Sequence, residues 1–183
     1  MFKNQLRPSL FVVLAVAACC ALQTAQASTV AVGTCKPGVP QFLTINAAVA
    51  SVPSGATIDV CPNTYPEQVT ISSKNLTLVG IQYGTSDAAV IVPPAGGLVQ
   101  NGTDIFGTPV AAQIFVQNAT VTISHITVDG TGNNIAGCGP PTLEGIYFQN
   151  ASGKILDNVA RNQYQTDFTD YGGCQNGLAM SRV

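Results

Sequence analysis

The chain has 183 residues, of which 46% are hydrophobic and only 9% charged, and its formal net charge is −2. No basic excess is available to neutralise phosphates or anionic headgroups, which argues against an electrostatic nucleic-acid or membrane-surface binder. His125 is the only histidine and no cysteines stand in C-x-x-C spacing, which argues against a zinc centre.

In chain order, Lys3 and Arg7 precede an apolar run over residues 10–22, followed by Ala25-Gln26-Ala27 and Ser28. This reads as a secretory signal peptide over residues 1–27, too short to span a bilayer. Val16-Ala17-Ala18-Cys19 has the form of a bacterial lipoprotein box, an alternative in which Cys19 carries a lipid anchor. The expected location is secreted or periplasmic. Residues 28–183 then make one soluble domain with five Lys/Arg against nine Asp/Glu and no apolar stretch long enough to cross a membrane.

Residues 28–42 read as an extended lead-in broken by Pro37, Gly38 and Pro40. In TINAAVASV, Thr44 is a helix cap and Ile45, Ala48, Val49 and Val52 follow helical spacing, until Pro53-Ser54-Gly55 stops the helix. Nine short strands are predicted after it: ATIDVC, EQVTIS, NLTLVG, AAVIV, QIFVQ, VTIS, HITVDG, GIYFQ and GKILD. With no helices between them, a doubly wound α/β fold is excluded.

The strands repeat. QIFVQNATVTI over residues 113–123 recurs as GIYFQNASGKI over 145–155, and GLAMSRV begins a third copy at Gly177. The offset is 32 residues each time, and five of the eleven positions in the first pair are identical. VTISSKNLTLVG over 69–80 likewise parallels VTISHITVDG over 121–130, each a strand, a polar bend and a strand, with His125 at the bend. A fixed period of this size predicts a parallel solenoid rather than stacked hairpins. Asn118 should then stack on Asn150 and Gln117 on Gln149 as amide ladders. Ile114, Val116 and Ile123 should stack on Ile146, Phe148 and Ile155 inside. The helix becomes an N-terminal cap.

Four cysteines follow the signal segment, and an even number in an exported chain predicts disulfides. Three connectivities are open; proximity favours Cys35 with Cys61 and Cys138 with Cys174.

The segment from Thr44 to Gly80 resembles the opening turn of right-handed parallel β-helix proteins of the pectin-lyase-like superfamily, including pectinesterases. The most specific piece is Pro62-Asn63-Thr64-Tyr65-Pro66-Glu67 followed by VTI, similar to a "PGTY.E.VTI" signature with Asn63 in place of glycine. Residues 113–160 resemble the generic repeat of the same group. The resemblance implies an all-β, right-handed parallel β-helix solenoid with a short N-terminal capping helix. It does not extend to pectinesterase catalytic motifs such as QAVAL, QDTLY and GTVDFIFG, which are absent.

Pectate-lyase-like members use carboxylates to hold calcium and an arginine to accept a proton. By that analogy Asp157, Asp167 and Asp170 are candidate calcium ligands and, with Arg161, candidate catalytic groups. A solvated corner pinned by Cys174 accounts for the same residues. Asp129-Gly130 reads first as a turn, although Asp129 and Thr127 fall on an outer face. Glu144 reads as surface. Phe115 and Tyr147 share one repeat position and should stack on the outer wall, as a strip for a sugar ring or as a purely stabilising ladder; Tyr164 and Tyr171 would extend the strip. Four Asn-x-Ser/Thr sequons read as repeat composition.

Together these features predict an exported module that binds polysaccharide or a cell-surface glycan, with a polysaccharide lyase or carbohydrate esterase as the alternative. No cofactor is required and calcium is the one candidate. The third copy is interrupted at Val183, which predicts either a longer natural chain or end-to-end self-association.

Overall fold

Short segments such as Val69–Ser72 and Leu76–Gly80 bury every second residue, the pattern of strands with one face against a core. The computed structural model describes residues 28–82, 84, 88–136, 139–164 and 177–182. In chain order it contains β1 (Thr29–Val32), β2 (Gln41–Phe42), the helix α1 (Ile45–Ser51), β3 (Ala56–Val60), β4 (Asn63–Pro66), β5 (Val69–Ser72) and β6 (Leu76–Gly80). There follow β7 (Ala89–Val92), β8 (Gly102–Thr103), β9 (Pro109–Gln117), β10 (Thr120–Ser124), β11 (Ile126–Asp129), β12 (Thr142–Gln149), β13 (Ser152–Leu156), β14 (Val159–Arg161) and β15 (Gly177–Arg182).

Three sheets take these strands. The first runs β13-β10-β6-β3-β1-β2, the second β14-β11-β7-β4 and the third β15-β12-β9-β5. From β3 onward, apart from β8, the chain enters the first, second and third sheets in rotation, and these strands pair in parallel. This is an all-β parallel β-helix. The exception is β8, which pairs antiparallel with β9 as a hairpin.

The register follows the 32-residue period: Ile114 lies beside Ile146, Phe115 beside Tyr147, Thr120 beside Ser152 and Asp129 beside Arg161. The third copy departs from it. Gly177 pairs with Leu143 and Met180 with Ile146, an offset of 34. A two-residue slip keeps the in-out alternation of a strand, so it costs no change of face. Several strands lie outside the nine expected, notably β4, where the NTYP segment of the opening signature is hydrogen-bonded beside β7.

Aliphatic side chains from all three sheets fill the interior, among them Ile58, Ile71, Leu78, Ile91, Ile114, Ile123 and Ile146. Helix α1 adds Ile45, Ala48 and Val49 to the same core. Its N-terminus is closed twice: the Thr44 hydroxyl accepts from Ala47 N at 3.1 Å, and the Glu67 carboxylate accepts from Ile45 N at 2.8 Å and Asn46 N at 3.0 Å. At the other end Lys74 Nζ donates to the carbonyls of Val49 and Ala50. Tyr65 is buried, with its hydroxyl 2.8 Å from Cys61 O and 3.1 Å from Val32 O. The Tyr and Glu of the opening signature thus have local structural duties.

Cys35 and Cys61 form a disulfide, with Cα atoms 5.6 Å apart. Cys138 and Cys174 lie outside the described residues. His125 adopts φ 56°, as a bend residue should, and Asp157, which follows Leu156 as His125 follows its partner Ser124, adopts φ 52°.

Candidate functional site

The outer face of the third sheet differs from its sequence reading. Phe115 and Tyr147 stack as expected, with ring centroids 5.9 Å apart and an interplanar angle of 15°. They are not open to a ligand: Phe115 is 3% and Tyr147 1% exposed. The cover is the segment over residues 93–108. At Gly102 a Cβ would stand 3.0 Å from the Phe115 ring, so only glycine lets this backbone pass over the aromatic pair without displacement. Tyr147 Oη donates to Thr103 O at 2.8 Å, and burial, then the charges of Glu144 and Asp104, push its hydroxyl pKa up.

Amides fasten this cover. Gln68 donates to Val99 O and Ala112 O and accepts from Val99 N, while Asn101 exchanges two hydrogen bonds of 2.9 Å with the Ala112 backbone. Beneath it Val110 and Ala112 join the aromatic pair in a second small core. The alternation along β9 therefore slips by one before Ile114, which returns to the interior. Gln113 is fully buried and donates to Ile91 O and Asp129 O in the second sheet. Glu144, read as surface from the sequence, is 3% exposed.

Two shallow troughs flank the turn that leaves this sheet. One, of about 570 Å³, is lined chiefly by Asn75, Asn118, Thr120, Asn150 and Ser152. The other, of about 380 Å³, is lined by Gln100, Asn101, Gly102, Thr103, Gln117 and Gln149. They adjoin through the neighbours Gln117-Asn118 and Gln149-Asn150. The expected ladders are present: Asn150 Nδ2 donates to Asn118 Oδ1, Gln117 Nε2 to Gln149 Oε1, and the Thr120 and Ser152 hydroxyls are 2.8 Å apart. Asn118 and Asn150 take φ 51° and 47°, a left-handed turn that asparagine tolerates. None of the described lining residues is charged. Chemically these are surfaces of amide and hydroxyl donors and acceptors.

Of the acidic corner, Asp129, Asp157 and Arg161 are described. Arg161 Nε donates to Asp129 Oδ2 at 2.7 Å, so among the described residues its acidic partner is the one 32 positions earlier. Asp129 Oδ1 accepts from Thr131 N, Thr131 Oγ1 and Asn162 Nδ2. Burial pushes this carboxyl up, but the bonds from Asn162, Thr131 and Arg161 outweigh it and hold its pKa at about 2. A carboxylate so engaged is an anchor for the corner. Asp157 is an exposed bend residue, and Asp167, Asp170 and Tyr171 lie outside the described residues. Among the described residues, no group of three or more His, Cys, Asp or Glu is placed to hold a metal. Tyr164 is 39% exposed, and its carbonyl accepts from Asn133 Nδ2.

No protein-family model matches the sequence, and no curated protein sequence matches it. Among solved structures, the chain is similar to a pectin methylesterase variant crystallised in complex with a hexasaccharide, at 16% identity and a TM-score of 0.46. The match covers 85% of this chain and 61% of the other, so the chain spans less than two thirds of that enzyme's length. No described helix is long and apolar enough to cross a membrane.

Proposed function

We propose that this protein is an exported, right-handed β-helix solenoid of the pectin-lyase-like kind that binds polysaccharide or a cell-surface glycan. The observation that carries the reading is the adjoining pair of uncharged troughs, in which amides and hydroxyls recur at successive levels of the stack. Parallel neighbours repeat about every 4.8 Å, so like groups present themselves to a polymer that is itself a repeat of hydroxyls. The Cys35–Cys61 bond fits an oxidising compartment, as export requires.

The lyase or esterase alternative has less support, because Arg161 is engaged by an Asp129 carboxylate whose oxygens already accept four hydrogen bonds. Affinity electrophoresis against a panel of soluble polysaccharides tests the binding reading. Retardation is expected, and it should weaken by about tenfold or more in Asn118→Gly/Asn150→Gly, which removes two amides yet preserves their positive φ. Unchanged mobility of the folded wild type in every gel would overturn the reading. Calcium-dependent release of unsaturated product from polygalacturonate or alginate would replace it with the lyase.

A further inference from the structure

The cover segment ends in a hairpin tip with an unusual surface. Phe106 is 86% and Ile105 71% exposed, among the largest exposures of any described apolar side chain. The tip is nonetheless tightly closed. Asp104 Oδ1 accepts from Phe106 N and Thr108 N, both at 2.8 Å, Asp104 N donates to Thr108 O at 2.9 Å, and Gly107 N donates to Asp104 O at 3.1 Å. An aromatic ring held in water on a fixed backbone has little backbone freedom left to lose on binding. Thr103, three residues before Phe106, is a wall of the Gln117/Gln149 trough, and it pairs with Pro109 at the base of this tip.

We infer that Phe106 is an aromatic platform for the same glycan ligand, and that the ligand is a neutral polysaccharide. This rests on the glycan-binding reading above and narrows it. One face of a pyranose ring is largely C–H and buries apolar area against an aromatic face. The remaining hydroxyls meet Gln100 and those donor and acceptor positions of Gln117 and Gln149 that the Gln117–Gln149 ladder bond and the Gln149 Nε2–Thr103 Oγ1 bond leave open.

Charge decides against a uronate chain. No lysine or arginine is among the described residues that line either trough, and residues 93–108 contain none. Among the described side chains, two acids bring charge to this place: Asp104 at the tip, and Glu144, whose charge reaches the Tyr147 hydroxyl beneath the cover. A carboxylate on every sugar would meet like charge with no compensating cation among the described lining residues. The same lack of basic residues disfavours docking to an anionic lipid surface.

The test compares soluble glucan, mannan, xylan and galactan with polygalacturonate and alginate in affinity electrophoresis, using wild type, Phe106→Ala and Phe106→Trp. Binding is expected to one or more of the neutral polymers only, weakened about tenfold by Phe106→Ala and retained by Phe106→Trp. Because Phe106 is exposed, the alanine variant should fold, which circular dichroism checks. Equal neutral-glycan binding by Phe106→Ala, or binding to the uronates alone, would overturn this inference and leave glycan binding standing. No binding to any polysaccharide would overturn both. Phe106-dependent binding to phosphatidylcholine vesicles in place of glycan would reassign the tip to a lipid surface and overturn them as well.

Discussion

The two faces of the third sheet use the same strands to opposite ends. Ile114, Val116, Ile146 and Phe148 face inward and pack against the other two sheets, where each turn of chain supplies the next layer. Phe115 and Tyr147 face outward from the same strands, yet they are just as buried, because a non-repeating segment folds back over them. The inner face is therefore closed by the repeat itself, and the outer face by one irregular insertion held through Gln68, Asn101 and Tyr147. An outward position on a strand is not necessarily an exposed one.

This contrast can be broken in graded steps. Ile146→Ala removes an inner residue with no solvent exposure and should cost about 2–5 kcal/mol, read from the shift in denaturant midpoint at constant slope. A loss below about 1 kcal/mol would mean that the interior is not close-packed at this level.

Asp129→Asn tests the corner beside the inner core. Its folded pKa of about 2 lies below the usual 3.8, so the carboxylate contributes stability that is fully present above about pH 4 and lost as pH falls towards 2. The substitution should cost on the order of 2 kcal/mol at neutral pH. Unfolding followed from pH 7 to pH 2 should show wild type and variant converging. Parallel curves would contradict the assigned anchor role.

On the outer face, Tyr147→Phe keeps the stacked ring but deprives Thr103 O of its donor, with an expected cost of about 1 kcal/mol. Hydrogen exchange should then rise in residues 98–104 before it rises in β12. The smallest stability effect is expected at the uncovered tip: Phe106→Ala should change global stability by less than about 0.5 kcal/mol. A large loss there would show that the tip is part of the cover's packing, which would weaken the contrast between sealed and open parts of the same segment.

Much of the wall was legible as sequence because it is periodic. The spacing that links Asn118 to Asn150 and Thr120 to Ser152 also links Asp129 to Arg161 and His125 to Asp157. Applied to the charged residues, the same 32-residue offset would have predicted the Asp129–Arg161 pair and assigned Asp157 to a bend. An Asp opposite an Arg is not an identity, so this rung of the repeat is invisible to matching of like residues. Glu144 and Gln113 were not legible in this way: their burial depends on segments from elsewhere in the chain, which no local alternation registers.

The third copy makes the same point for register. Its strand exists and joins the third sheet, but two residues out of step with the period, because ladder hydrogen bonds accept any even shift that preserves the buried face. By itself, the sequence determined the parallel stack, the Thr44-capped helix and the amide ladders, since each depends on local pattern repeated at a fixed interval. Tertiary structure alone decided which outward residues meet water. Residues 93–108 are free of the repeat, and where they cross the sheet sealed Phe115 and Tyr147 while leaving Phe106 exposed; the physical reason is long-range contact, fixed by backbone clearance at Gly102 and by amide bonds between distant positions.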